Sequence, residues 1–361
     1  MILKIKCLVL AWLVFTGIVL SACRSEQNQQ LSPLPSSEDY IFYINFETNT
    51  DYKIWAINPT DLSPQFVTSG SAVQGWSPSN KFWLLTGYQS IYVGNADGSE
   101  IRNVYTFKDE YESIELFWLT DDVILFNAYK DGISLPPDMY SLDVNSGAVI
   151  QLFPDSNKFI QVTFPSEKKW LRASWPAGSL EIVDQSGTFE KFFEDFLIPT
   201  NIFAPYPPVQ RINRLNKYLF KAIGPGDLSS KLWLASKQEP PQMLFDPGSD
   251  GIDQFAVSPN EEYVALTYNT VGLEGVYVYV FGLENLQLLY KWVYPYKLGA
   301  GYFIWSPDSQ SIALHYSDFD AGKSTEVHSG IQVMDITTGE TKIILKQDIE
   351  QILDWHFIAK Q

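Results

Sequence analysis

Apolar residues along this chain come in short runs in which every second position is polar, and each run stops at a cluster of Ser, Pro, Asp, Asn or Gly. Alternation with a period of two is the mark of a half-buried strand, and the clusters are the residues that tight turns require. Tyr, Trp, Phe, Val and Ile are abundant in the runs, as packed sheet faces demand. No long segment shows a helical period. The pattern predicts an all-β protein built from short antiparallel strands.

The pattern also repeats. A bulky apolar residue, a Ser/Pro/Asp-type turn and an apolar strand occur at Trp76-Ser77-Pro78-Ser79-Asn80, at Val257-Ser258-Pro259-Asn260-Glu261 and at Trp305-Ser306-Pro307-Asp308-Ser309. Degenerate copies stand at Trp118-Leu119-Thr120-Asp121, Phe164-Pro165-Ser166-Glu167 and Ile212-Asn213-Arg214-Leu215, and the steps from Trp76 to Trp305 are 42, 46, 48, 45 and 48 residues. Each copy is followed by a strand, a polar turn and another strand, as in Ile91-Tyr92-Val93 with Asp97-Gly98, or Ile331-Gln332-Val333 with Thr338-Gly339. One repeat is therefore a four-stranded antiparallel unit, and a period of this length means a stacked or circular array. The start of the chain supplies strands two to four of such a unit (residues 40–67), and Ile352 to Phe357 supplies a first strand with nothing after it. Pairing these two segments closes a ring and removes edge strands. The expected fold is a seven-bladed β-propeller over residues 40–361, with six or eight blades as the alternatives.

The Trp-Ser-Pro-Asp turn and the Ile-Tyr-Val…Asp-Gly hairpin resemble the TolB-type propeller repeat, also called the PD40 or WD40-like repeat, over most of residues 40–361. The resemblance implies the architecture. It does not imply one function, because propellers host binding, scaffolding and hydrolysis alike. Trp76, Trp118, Trp305 and Trp355 recur at repeat spacing and are expected as packing between blades. Asp308 is expected as a turn residue.

The N-terminus changes the picture. Lys4 and Lys6 precede an apolar run from Cys7 to Leu20, which is short for a membrane span and fits a secretory signal. It ends in Leu20-Ser21-Ala22-Cys23, which resembles the lipobox of bacterial lipoproteins. The resemblance implies cleavage after residue 22 and a lipid on Cys23. Residues 23–39 are polar and Pro/Ser-rich and read as a lipidated, flexible tether. The expected location is extracytoplasmic, with the membrane as a partner through the Cys23 lipid.

Charge and composition narrow the functions. The chain has 25 basic and 42 acidic residues, a net charge of −17, which argues against nucleic-acid binding. Beyond Cys23 there is no cysteine, which excludes disulfides and Cys-ligated metal or thiol chemistry in the domain. No Gly-x-Ser-x-Gly elbow and no His-x-His or His-Glu-x-x-His pattern occurs, and no cofactor is called for.

The connections from strand two to three, and from strand four to the next blade, vary in length, and irregular loops on a rigid scaffold are where binding resides. Residues 193–209 and 291–301 are long and aromatic. Phe203, Tyr206, Trp292, Tyr294 and Tyr296 are the candidate partner-binding residues there, suited to a protein or to a small glycan or peptide. Asp318 and Asp320 are weak calcium candidates. The sequence thus favours a non-enzymatic binding or scaffolding module, the alternative being a carboxylate-dependent hydrolase of glycans or peptides at the channel mouth.

Overall fold

The computed structural model describes residues 38–358 apart from 49–50, 70–71, 87–89, 98, 108–112, 131–135, 155–156, 175–179, 193–208, 225, 237, 249–250, 270–275, 295–302, 319–327, 348 and 350. The strands form seven four-stranded antiparallel sheets. Blade one takes its inner strand, Gln351–Ile358, from the end of the chain, followed outward by Glu38–Thr48, Asp51–Ile57 and Pro64–Ser69. Blade two is Ala72–Trp76, Phe82–Thr86, Ser90–Asn95 and Ile101–Thr106; blade three is Ser113–Thr120, Val123–Tyr129, Asp138–Asp143 and Val149–Leu152. Blade four is Lys158–Phe164, Lys169–Ser174, Leu180–Asp184 and Phe189–Phe192; blade five is Val209–Ile212, Lys217–Ala222, Lys231–Ala235 and Gln242–Phe245. Blade six is Gln254–Val257, Tyr263–Asn269, Val276–Gly282 and Gln287–Tyr294; blade seven is Phe303–Trp305, Ser311–Asp318, His328–Asp335 and Thr341–Lys346. The fold is the seven-bladed propeller that the repeat predicts, and Ile41 pairs with Trp355 to close it.

Turn chemistry sets one face of the ring. In each blade the turns from strand one to two and from three to four emerge on the same side, here called the turn face; the remaining connections form the loop face. In the turn after Trp305, the Ser306 hydroxyl donates to Asp308 Oδ1 at 2.6 Å and accepts from the Ser311 amide at 2.8 Å. Ser258 plays the same part toward Asn260 and Tyr263. The fourth turn residue is left-handed: Asn80, Lys168, Asn216, Glu261 and Ser309 all have φ between 53° and 63°. In the outer hairpins Asp143, Asp184 and Asp335 accept from the turn amides and hydroxyls two to four residues on, at 2.6–3.1 Å. Those bonds hold the three carboxyls below the ordinary aspartate range.

Between blades the core is apolar, in seven clusters that mostly bridge neighbouring sheets. The repeat tryptophans belong to it. Trp118 and Trp305 are buried, and each indole N–H donates to an inner-strand carbonyl of the preceding blade, Gly75 at 3.3 Å and Ala256 at 3.0 Å. Buried amides add a second tie. Asn127 exchanges two bonds with the Ile160 backbone of blade four, and Gln254 exchanges two with Phe303 of blade seven. Such side chains do between blades what ladder bonds do within them, and satisfy backbone groups that would otherwise be buried unpaired.

A candidate interaction groove on the turn face

Three adjacent inner strands end on the turn face, at Phe164, Ile212 and Val257. Over them lies a hollow of about 350 Å³, walled by Pro165, Ser166, Asn213, Ser258, Pro259 and Glu261. A second hollow of about 590 Å³ lies outward between blades four and five, lined by Ser166, Glu167, Arg211, Asn213, Asn216, Tyr218 and Gln238. The two share Ser166, Arg211 and Asn213 and so adjoin, and together they are called the groove here.

Its walls are fixed by bonds between blades. Glu261, in its left-handed turn, accepts from the Asn213 amide at 3.1 Å, the Asn213 side chain at 2.9 Å and the Arg214 amide at 2.6 Å. Gln210 accepts from the Val257 amide at 2.8 Å. Arg211 is the pivot. Its Nε donates to Glu167 at 2.7 Å, its terminal nitrogens donate to the Lys217 carbonyl at 3.0 Å and to the Asn216 side chain, and its guanidinium lies 4.5 Å from the Tyr218 ring centre. Burial alone would raise the Glu167 carboxyl, but the Arg211 hydrogen bond and charge outweigh it and hold Glu167 below the ordinary range. Burial, helped by the Glu167 charge, pushes the Tyr218 phenol up to about 12. The aromatic rings beneath the groove are covered: Phe164 and Tyr218 are each 2% exposed.

Two further carboxylates stand in blades three and four, Glu115 half-buried and Glu181 buried. Glu115, on the inner strand of blade three, accepts from Asn127 and Tyr129 at 2.8 Å each, and burial raises its pKa despite those bonds. Glu181 takes Lys158 at 2.7 Å and Arg172 at 2.8 Å; these partners overcome burial and keep it ionised to below the usual range. Neither carboxylate is the other's partner. Among the described residues no three His, Cys, Asp or Glu side chains form a metal-binding group.

The residues singled out from the sequence fall mostly elsewhere. Cys23, Phe203, Tyr206, Tyr296 and Asp320 lie outside the described residues. Tyr294 and Asp318 end strands on the loop face, and only their backbone is described. Trp292 is half-buried on the outer strand of blade six. It stacks on Tyr290 with ring centres 5.3 Å apart, and a Cβ on Gly339 of blade seven would stand 2.7 Å from its indole nitrogen. Trp292 therefore packs against the next blade. No local sequence pattern marks the groove, because its residues come from three repeats. The basic run Lys168-Lys169 with Arg211, Arg214 and Lys217 was the available signal.

No protein-family model matches the sequence, and no curated protein does. Solved structures do. The chain is similar to prolyl oligopeptidase B from Galerina marginata at 13% identity and a TM-score of 0.59, over 89% of this chain and 51% of that one, so it spans about half of the peptidase's length. It is similar to the dihydro-heme d1 dehydrogenase NirN at 10% identity and a TM-score of 0.55, over 93% of this chain and 77% of that one. TolB from Acinetobacter baumannii aligns at 13% identity and a TM-score of 0.49, over 91% of this chain and 68% of that one. The chain is a seven-bladed β-propeller. Identities this low speak for the fold alone.

Proposed function

We propose that this chain is a non-catalytic binding propeller, tethered outside the cytoplasm by a lipid on Cys23, and that it receives a partner polypeptide in the turn-face groove. The groove carries the reading. Its two joined hollows are shaped by side chains already locked to one another, so little ordering is required when a partner binds. Its hydrogen-bonding groups, Ser166, Asn213, Asn216 and Gln238, suit a main chain. With Phe164 and Tyr218 covered, the described residues of the groove offer no aromatic face for a sugar ring. The carboxylates Glu115 and Glu181 support binding over hydrolysis, since each is committed to its own side-chain partners.

A photo-crosslinking residue placed singly at Ser166, Gln238, Glu284 or Leu228 tests the site in intact cells. Ser166 and Gln238 line the groove, Glu284 lies on the turn face of blade six, and Leu228 is wholly exposed on the loop face. Adducts from Ser166 and Gln238 in excess of the other two are expected. Adducts from Leu228 alone would overturn the site and favour the second reading, in which the loop face binds through Phe203, Tyr206, Tyr294 and Tyr296. That reading is favoured by Leu228 itself, held out on a loop that Lys231 pins through Asp227 at 2.7 Å and Asp246 at 3.0 Å. For the anchor, Cys23→Ser is expected to move the protein from the membrane fraction to the soluble one; retention in membranes would contradict a lipid at that position.

A further inference from the structure

One position on the second strand of a blade is filled differently around the ring. It lies three residues beyond the ladder partner of the repeat tryptophan: Trp118 pairs with Ile124 in blade three, and Trp305 with Ile312 in blade seven. In blade three the position is Asn127, which exchanges two bonds with the Ile160 backbone of blade four, at 2.7 Å and 3.0 Å. In blade seven it is His315, which is buried, and neither of its ring nitrogens has a hydrogen-bond partner. Strand alternation puts His315 on the face of Ala313, and its ladder partner is Ile331; both belong to the apolar layer between blades seven and one. Across that layer stand Ile41, Tyr43, Ile57, Ile352 and Trp355 of blade one, and the Tyr43 hydroxyl is buried there without a partner. The charged groups of the surrounding strands stand at its margins. Asp39 and Asp308 meet at the turn face, Lys53 is opposite Asn45, Asp318 and His328 share a ladder position at the loop face, and Lys342 and Lys346 lie on the outer strand of blade seven. Asp354 and His356 hold ladder positions opposite Phe42 and Tyr40, whose side chains belong to the layer toward blade two.

We infer that the layer between blades seven and one is an acid-sensitive latch: protonation of His315 parts blade seven from blade one while the other seams stay closed. An imidazolium carries a charge and two N–H donors, and a layer of aliphatic and aromatic side chains neither solvates the charge nor accepts from the donors. The Tyr43 oxygen can serve one donor at most, and the other must reach water, which the closed seam excludes. Burial accordingly lowers the His315 pKa from 6.5 to about 4. The closed seam therefore binds the proton less readily than the open one, and opening gains as pH falls through that window. Asp39 works against it: burial, and then the Asp308 charge, raise its pKa, so it takes up a proton more readily in the closed seam. Blade three is tied to four, five to six and six to seven by Asn127, Gln210 and Gln254, whose amides do not titrate. Acid thus acts on the one seam where an untied imidazole stands in the place of an amide tie.

The test is thiol accessibility in the full-length protein. Ala313 and Ala265 hold the same position in blades seven and six, and both are fully buried, the first in the layer toward blade one and the second in the layer toward blade seven. Ala313→Cys and Ala265→Cys are each treated with 4,4′-dithiodipyridine, a reagent that attacks thiols in acid, at about pH 7 and about pH 4.5, and the labelled peptide is identified by mass. Near neutral pH both thiols are expected to react slowly. At about pH 4.5 the thiol at position 313 is expected to react about tenfold or more faster than the one at 265. Adding His315→Leu or His315→Asn is expected to remove the difference; thermal melts near neutral pH establish that each variant folds, and either substitution suffices. Equal rates at the two positions in acid, both slow or both fast, would overturn the latch. So would a difference that survives the loss of His315.

Discussion

Trp355 stands directly opposite Ile41 in the sheet of blade one, 314 positions apart in the chain and adjacent in the ladder. Ile41 is fully buried and Trp355 nearly so, and both belong to the apolar layer between blades seven and one. Ring closure is thus an ordinary strand pair reinforced by core packing on one side.

Truncating that pair should weaken the whole ring. Ile41→Ala is expected to lower unfolding free energy by about 3 kcal/mol, the usual range for emptying a well-packed aliphatic site, read as a lower urea midpoint. A change within about 0.5 kcal/mol, typical of surface sites, would mean the seam contributes little.

The tie between Glu261 and the turn of blade five is tested by Glu261→Ala. It leaves the Asn213 and Arg214 amides without their acceptor while the residue stays left-handed, and a loss of about 2 kcal/mol is expected. Lys168→Gly should act in the opposite direction. Lys168 sits at φ 53°, where a side chain is strained by about 1 kcal/mol that glycine relieves, so a modest rise in melting temperature is expected. An unchanged or lower melting temperature for Lys168→Gly would remove strain from the description of these turns.

His315 sets a pH dependence. It is 6% exposed on the second strand of blade seven, neither ring nitrogen has a hydrogen-bond partner, and burial lowers its pKa from 6.5 to about 4. The unfolded chain takes up a proton near pH 6.5 and the folded protein does not until about pH 4. Stability is therefore full above pH 6.5 and declines as pH falls through that window, by about 3 kcal/mol in total. His315→Leu should flatten urea midpoints between pH 6.5 and 5. An undiminished slope in the variant would assign the effect to other groups.

Tyr43 faces the same seam. Its hydroxyl is buried without a partner, and burial raises its pKa. Removing an unsatisfied buried oxygen is favourable, so Tyr43→Phe is expected to stabilise by about 1 kcal/mol. Destabilisation of that size would show that the hydroxyl is bonded in solution.

The blades were legible because turn and strand residues recur with a period, and because Trp355 falls at the position of Trp76, Trp118 and Trp305. The cross-blade ties were less legible. Asn127, Gln210 and Gln254 read as polar strand residues, and only the packed ring shows that each meets a backbone from the next repeat. The groove was hidden for the same reason. Arg211, Glu167 and Tyr218 come from separate repeats or separate strands, and no local pattern announces a stack of the three. The long aromatic connections stand out in sequence because length and composition are visible there although contacts are not.

A sealed ring underlies both the rigidity of the groove and the placement of its partner. Hydrogen exchange of the full-length protein, followed by mass spectrometry on the peptide spanning Gln351–Ile358, tests it most directly. Protection matching that of the inner strand Ser113–Thr120 is the result expected. Exchange of 351–358 at the rate of unstructured chain, with the other inner strands protected, would contradict it.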